Sequence, residues 1–159
     1  CFAGVNSTDF QYGKNDAMQA WPVFTITADD AAVLEGVPAK LDGGSFQWQD
    51  LTGAVDVAFR AIPLRGDLLR YPAFLRLDFY ERPGALHDFL GQRIQGNANI
   101  CYFNYRQSGE RIGRALIGLD FPSPYEREAL MMTIPSHGEG YRLCEAVDEE
   151  TRKRLTGGL

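Results

Sequence analysis

The chain has 159 residues, of which 45% are hydrophobic, so it can bury a core as one domain or as two small subdomains. Its formal net charge of -5 argues against nucleic acid or an anionic membrane as a partner, because those partners select basic patches. The sequence has no apolar run long enough to cross a bilayer and no signal-peptide pattern, so we expect a cytoplasmic protein.

The cysteines and the start of the chain add two expectations. Cys1, Cys101 and Cys144 have no CxxC spacing and lie mostly in apolar strand patterns, which favours reduced core residues. The chain starts with Cys-Phe-Ala-Gly and has no initiator Met, so we expect that an upstream part is absent.

The first 62 residues read as an incomplete βαββαβ unit. Residues 1–4 resemble the end of a helix, and the alternation in Val5–Tyr12 and Ala20–Thr27 predicts a hairpin. A capping pattern at residues 27–30 predicts a short helix after it. Ser45–Leu51 is predicted as a further strand, and Thr52–Ile62 as a second helix.

Residues 63–73 are the best linker candidate, and a more complete unit follows in 74–159. Leu75, Leu77 and Phe79 alternate with Arg76 and Asp78, which predicts a strand with the apolar residues inward and the charged ones outward. The remaining predicted elements are a helix from Gly84 to Ile94, two strands in Asn99–Phe121, a helix after the capping box Ser123–Glu126, a strand at Tyr141–Ala146 and a final helix capped by Asp148.

The second half repeats the first at an offset of 93 residues. Tyr12 aligns with Tyr105, and Pro22–Asp29 aligns with Ala115–Pro122. The second half has the ferredoxin-like element order. We therefore predict an α+β fold with two tandem ferredoxin-like (ACT-like) βαββαβ subdomains, at residues 1–62 and 74–159, the first truncated at its N-terminus.

Several motifs carry a family resemblance. Pro-Gly-Ala-Leu from Pro83, Asn-Ile from Asn99, Phe-Asn-Tyr-Arg from Phe103 and Gly-Arg-Ala-Leu from Gly113 occur in this order. With these motifs, the chain resembles the ACT-like regulatory domain of biosynthetic threonine deaminase. The resemblance implies the C-terminal part of a pyridoxal-phosphate (PLP) enzyme that binds isoleucine as feedback inhibitor and valine as its antagonist. It further implies an absent N-terminal catalytic domain that holds PLP, no cofactor in this segment, and a homo-oligomer.

The resemblance also implies the effector-site residues. Tyr12 and Tyr105 match the family's effector-site tyrosines; Arg106 follows the second, whereas Gly13 follows the first. The turn at Pro83 and Gly84 begins a helix, where backbone N–H groups favour a carboxylate. Leu86, Phe103 and Ile117 are predicted to line an apolar pocket for a branched side chain.

The sequence provides no catalytic constellation. His87 and His137 lie near no recognised nucleophile motif, and two distant histidines do not predict a metal site. Lys14, Lys40 and Lys153 lie in no segment like the family's cofactor-binding one.

Three alternatives stay open at this point. The first alternative is an ACT-type amino-acid-binding module of another biosynthetic enzyme. The second is a ferredoxin-like RNA-binding module that stacks bases on Tyr102, Phe103 or Tyr105. The third is a dimerisation domain that senses no ligand. Because the opening strand of the first unit is absent, we also expect that unit either to rearrange or to borrow a strand from another chain.

Overall fold

One antiparallel sheet contains the strands of both halves. The computed structural model describes residues 4–54, 62–82, 84–94, 98–107, 109, 111–133 and 140–157. The strands are β1 (Asn6–Gly13), β2 (Val23–Thr27), β3 (Tyr71–Tyr80), β4 (Asn99–Arg106), β5 (Ile112–Phe121) and β6 (Tyr141–Ala146), in the spatial order β2-β1-β4-β5-β3-β6. The helices are α1 (Ala31–Glu35), α2 (Val37–Asp42), α3 (Ala85–Arg93), α4 (Pro124–Thr133) and α5 (Glu149–Thr156), and a short 3-10 helix spans Gly66–Leu68.

The second unit, residues 71–156, has the predicted ferredoxin-like topology. Its strands lie in the order β6-β3-β5-β4, with α3 between β3 and β4 and α4 between β5 and β6. The predicted capping box is confirmed, since Ser123 Oγ accepts the Glu126 N–H at 3.3 Å and bonds the Glu126 carboxylate at 3.0 Å. Asp148 caps α5 by accepting the Thr151 N–H at 2.8 Å.

The main core lies on the sheet face that α3 and α4 cover, which we call the helical face. Leu75, Leu77 and Phe79 are buried there, as the alternation in β3 predicts. The outward prediction for Asp78 is wrong: it lies on the opposite face, but only 5% of it is exposed. The longer Arg76 side chain lies beside it, with Nε 3.6 Å from Asp78 Oδ1.

The first unit, residues 4–54, joins the second through β1 and β4. In this antiparallel pair Gln11 lies opposite Asn104, which is its own counterpart at the offset of 93. On either side, Phe10 lies opposite Tyr105, and Tyr12 lies opposite Phe103. The pairing therefore has local pseudo-two-fold symmetry, with its axis at Gln11 and Asn104.

Two elements of the first unit differ from prediction. Residues 47–50, within the predicted strand Ser45–Leu51, have no regular structure. The corresponding strand of the second unit, β6, pairs with β3, and at an offset of 93 the counterpart of β3 would precede residue 1. Within the described residues, this segment has no equivalent of β3 beside it with which to form a strand pair. The predicted single helix is divided at Gly36 into α1 and α2, with Pro38 in the first turn of α2.

Other predictions fall outside the described residues in whole or in part. Residues 1–3, Pro83 and His137 are among these, and so is most of the predicted helix Thr52–Ile62. The domain boundaries at 62 and 73 stay a prediction, while the sheet continues across them. Within the described ranges, no helix combines the length and the hydrophobicity needed to span a membrane.

Candidate functional site

Tyr105 lies on the helical face and bonds a carboxylate. Its hydroxyl donates to both oxygens of Glu81, at 3.1 and 3.2 Å, and its ring centroid lies 5.5 Å from that of Phe79. Only 4% of Tyr105 is exposed. Burial, together with the negative charge of Glu81, raises the pKa of Tyr105 well above its ordinary value, so the hydroxyl is a proton donor at neutral pH.

Glu81 is a further residue of this region that the sequence motifs do not single out. It follows β3 and continues the alternation of Leu75, Leu77 and Phe79, which places it on the helical face. Its backbone N–H donates to the Arg111 carbonyl at 3.0 Å, which holds the end of the strand in place. The alternation of inward-facing residues in β3, continued to residue 81, is the sequence signal that identifies Glu81.

The N-terminus of α3 lies directly after this carboxylate in the chain. Gly84 is the N-cap residue and has a φ of +80°, a left-handed conformation that glycine adopts without strain. The Asp88 N–H makes the first intrahelical bond, 2.9 Å to the Gly84 carbonyl. The N–H groups of Leu86 and His87, in the first turn, therefore have no intrahelical acceptor, and such groups can bind an anion.

The first unit contributes aromatic residues to the same face. Phe10 lies opposite Tyr105, and its ring packs edge-on against Phe103 at 4.9 Å. Tyr12 and Leu86 are half-buried against the same core cluster. The Tyr12 hydroxyl makes no hydrogen bond within the described part of the chain, and burial raises its pKa, with Cys101 nearby adding to the shift.

The structure separates one predicted site residue from the others. Tyr12, Leu86, Phe103 and Tyr105 lie together on the helical face with Gly84 at its edge, whereas Arg106 projects from the opposite face of β4. Phe103 and Ile117 are buried as the floor of this region. Consecutive strand residues alternate between faces, so Tyr105 and Arg106 cannot reach the same side of the sheet.

This arrangement favours binding over catalysis. Glu81 offers an anion to a ligand ammonium, the first turn of α3 offers N–H groups to a carboxylate, and Leu86 offers an apolar contact. The described cysteines are poor nucleophiles, because burial raises the pKa of Cys101 to about 12 and that of Cys144 to about 11. His87 lies exposed on α3, and no group of three or more potential metal ligands occurs among the described residues.

A family model decides the family of this chain. The model describes the C-terminal regulatory domain of threonine dehydratase and matches residues 70–153, just over half of the chain. The chain belongs to this family. The matched part of this regulatory domain includes β3, Glu81, the start of α3 and Tyr105.

Curated relatives extend the similarity into the first unit. The chain is 28% identical to the biosynthetic L-threonine dehydratase of Burkholderia multivorans, over 87% of this chain and 29% of that protein. It is 26% identical to the biosynthetic chloroplastic threonine dehydratase of Arabidopsis thaliana, over 74% of this chain and 20% of that protein. It is also 26% identical to the threonine dehydratase of Nicotiana attenuata, over 93% of this chain and 25% of that protein. The regulatory domain thus spans less than a third of the length of these relatives.

Proposed function

We propose that this regulatory domain senses isoleucine and valine and changes the activity of an attached threonine dehydratase catalytic domain. The observation that carries the proposal is the bond from the Tyr105 hydroxyl to Glu81, a residue that shortly precedes the N-cap Gly84 of α3 in the chain. These groups stand next to the strand pair that joins the two units. A ligand bound there contacts both units and responds to any change in their arrangement.

The chemistry of a free amino acid matches these groups. Its ammonium pairs with the Glu81 carboxylate, which the Tyr105 hydroxyl orients. Its carboxylate accepts N–H groups from the first turn of α3. A branched aliphatic side chain packs against Leu86 and Tyr12, the half-buried residues of the same cluster. Specificity for isoleucine and valine rests on the resemblance to the family.

Control of a catalytic domain requires that the effectors prefer one arrangement of the protein. We propose that isoleucine and valine prefer different arrangements of the two units around the β1–β4 pair. We also propose that PLP is bound outside this chain. Lys40 and Lys153 are exposed, and the Lys14 ammonium lies 4.0 Å from the buried Asp120 carboxylate. We therefore assign PLP and the lyase chemistry to the part of the protein outside this chain.

A thermal-shift screen of all amino acids on the 159-residue chain tests the proposal. Isoleucine and valine are expected to raise the Tm, and Glu81→Gln and Tyr105→Phe to reduce the ligand-induced rise. Tyr125→Phe removes the hydroxyl of an exposed tyrosine on α4 and serves as the matched control, so it should respond like the unmodified chain.

The outcomes of the screen also separate the alternatives. A Tm rise with threonine, lysine, serine or phenylalanine but not with isoleucine would assign the module to another amino-acid pathway. A dimer that responds to no amino acid would indicate a dimerisation domain that senses nothing. A full isoleucine response in both Glu81→Gln and Tyr105→Phe would place the binding site elsewhere on the domain.

A further inference from the structure

Residues 62–70, which we call the strap, lead into β3 across the sheet face opposite α3 and α4. Three of its apolar side chains are half-buried against a hydrophobic cluster on that face: Ile62, Leu64 and Leu69. The cluster consists of Phe74, Cys101 and Tyr102. A connecting segment that buries apolar side chains in this way is a packed part of the fold, and specific contacts set its position.

The strap is fixed to the first unit at Lys14, directly after β1. The Arg65 N–H donates to the Lys14 carbonyl at 2.9 Å, and the Lys14 N–H donates to the Cys101 carbonyl at 2.7 Å. Gly13 allows the strap to come this close, because a Cβ at that position would collide with the Pro63 carbonyl oxygen. Lys14 thus joins the strap to the β1–β4 pair.

The C-terminal end of the strap is fixed to the second unit by Asp120 on β5. Its Oδ1 accepts the Arg70 N–H at 2.8 Å and the Tyr71 N–H at 3.1 Å, where the strap continues into β3. Asp120 is only 5% exposed, and its Oδ2 lies 4.0 Å from the Lys14 ammonium. Burial of a carboxylate costs free energy unless hydrogen bonds and a counter-charge compensate it, and these contacts provide both.

Lys14 and Asp120 therefore hold the same segment from the two units. If they separate from the strap, the N–H groups of Arg65 and Arg70 lose their acceptors. The cluster beneath the strap, with Cys101 at 0% exposed, then becomes accessible to solvent. These contacts are few and local, so the strap can open while the sheet remains folded.

We propose that the strap opens and closes over Cys101 as a conformational switch, and that Lys14 and Asp120 hold it closed. Closure ties the end of β1 to the second unit, and opening releases this tie and changes the arrangement of the two units. A link between strap opening and effector sensing rests on the function proposed above. Lys14 and Asp120 are positioning residues in this switch, since neither belongs to the proposed effector site.

The rate at which a thiol reagent labels Cys101 measures strap opening, because this residue belongs to the cluster that the strap covers. The experiment uses the 159-residue chain with Cys1→Ser, and peptide mass spectrometry separates Cys101 from Cys144, a buried thiol on β6 that serves as internal reference. Asp120→Asn should raise the Cys101 rate roughly tenfold or more, because it weakens hydrogen bonds to a carboxylate. Lys14→Met keeps the aliphatic stem without the charge and should raise the rate about threefold. Both variants should leave the Cys144 rate unchanged.

Asp67→Asn provides a matched control on the strap itself. Asp67 pairs with Arg65, and both side chains are more than half exposed, so this variant should leave the Cys101 rate unchanged. Far-UV circular dichroism checks the folding of each variant, and Lys14→Met alone decides the question if Asp120→Asn does not fold. An unchanged Cys101 rate in Lys14→Met, or an equal rise in the Cys144 rate, would overturn the proposal.

Saturating isoleucine and valine separate this proposal from the proposed function. Each ligand should change the Cys101 labelling rate of the unmodified strap, and the two ligands should change it to different extents. A Tm rise with isoleucine but no change in the Cys101 rate would overturn the role of the strap in sensing, while the proposed function would stand. Faster Cys101 labelling in Lys14→Met, with no Tm response to any amino acid, would support the strap and overturn the proposed function.

Discussion

The two units contain equivalent strand pairs, β1–β2 and β4–β5, which differ in the strands that lie beside them. In the second unit, β5 lies between β4 and β3, and Ile117 at its centre is 0% exposed. In the first unit, β2 pairs with β1 alone, and Phe24, the counterpart of Ile117 at the offset of 93, is 41% exposed. Similar local patterns thus give a core strand or a half-exposed edge strand, depending on whether a neighbouring strand is present.

The units also differ at the position after each tyrosine. In the second unit this position is Arg106, whose side chain projects from the sheet face opposite α3 and α4. In the first unit it is Gly13, where a Cβ would collide with the carbonyl oxygen of Pro63. The segment before β3 crosses β1 at this point, since the Arg65 N–H donates to the Lys14 carbonyl at 2.9 Å. The first unit therefore has no room for an arginine at this position.

The largest difference in stability is expected between substitutions at Ile117 and at Phe24, which occupy equivalent positions in the two units. Ile117→Ala should lower the free energy of unfolding by about 2 to 5 kcal/mol, because it leaves a cavity in a fully buried site. Phe24→Ala should cost about 1 kcal/mol, since much of the ring already contacts water. Urea denaturation of both variants measures the difference. Equal costs would mean that the first unit is as well packed as the second.

The next largest effect on stability is expected at Gly13 and Arg106, the positions that follow Tyr12 and Tyr105. Gly13→Ala should lower the free energy of unfolding by about 1 to 3 kcal/mol, because the new methyl group must displace the backbone at Pro63. Arg106→Ala, at the equivalent position of the second unit, should change stability by less than about 0.5 kcal/mol. Denaturation curves of the two variants test this contrast. A neutral Gly13→Ala would show that the crossing segment moves easily.

The tyrosines themselves provide a smaller contrast. Tyr105→Phe should cost about 1 to 2 kcal/mol, because it removes a hydrogen bond to a carboxylate. Tyr12→Phe should be nearly neutral, as the Tyr12 hydroxyl makes no hydrogen bond with the described residues. If both variants lost the same stability, Tyr12 would have a partner equivalent to Glu81.

The strands and helices of the second unit could be predicted because their signals are local. Alternation identifies β3, and the capping box identifies the start of α4. The strand predicted at Ser45–Leu51 is not formed at residues 47–50, although its residues alternate as in a strand. A strand also needs a hydrogen-bonding partner. The β1–β4 register, with Gln11 opposite Asn104, is a contact between distant parts of the chain that local patterns do not specify.

The candidate site was predictable only in part, for a related reason. The motif grouped Tyr105 with Arg106 because they are adjacent in sequence, whereas the alternation of a strand separates them in space. The same alternation, continued past Phe79, places Glu81 beside Tyr105. Motifs thus point to a segment of the chain, whereas the alternation of side chains along a strand decides which of its residues share a face.

The pH dependence of stability tests whether Tyr105 is buried beside the Glu81 charge in solution. The pKa of Tyr105 is higher in the folded chain than its ordinary value of 10.0, so above about pH 10 the unfolded chain loses this proton while the folded chain retains it. The stabilisation is therefore complete below that pH and decreases as the pH rises toward the folded pKa. Urea denaturation from neutral pH to above pH 10 should show a shallower alkaline decline for Tyr105→Phe than for the unmodified chain. Some decline should remain, because burial also raises the pKa of Cys101 to about 12. Parallel curves would mean that the Tyr105 hydroxyl is not held beside the Glu81 charge in solution.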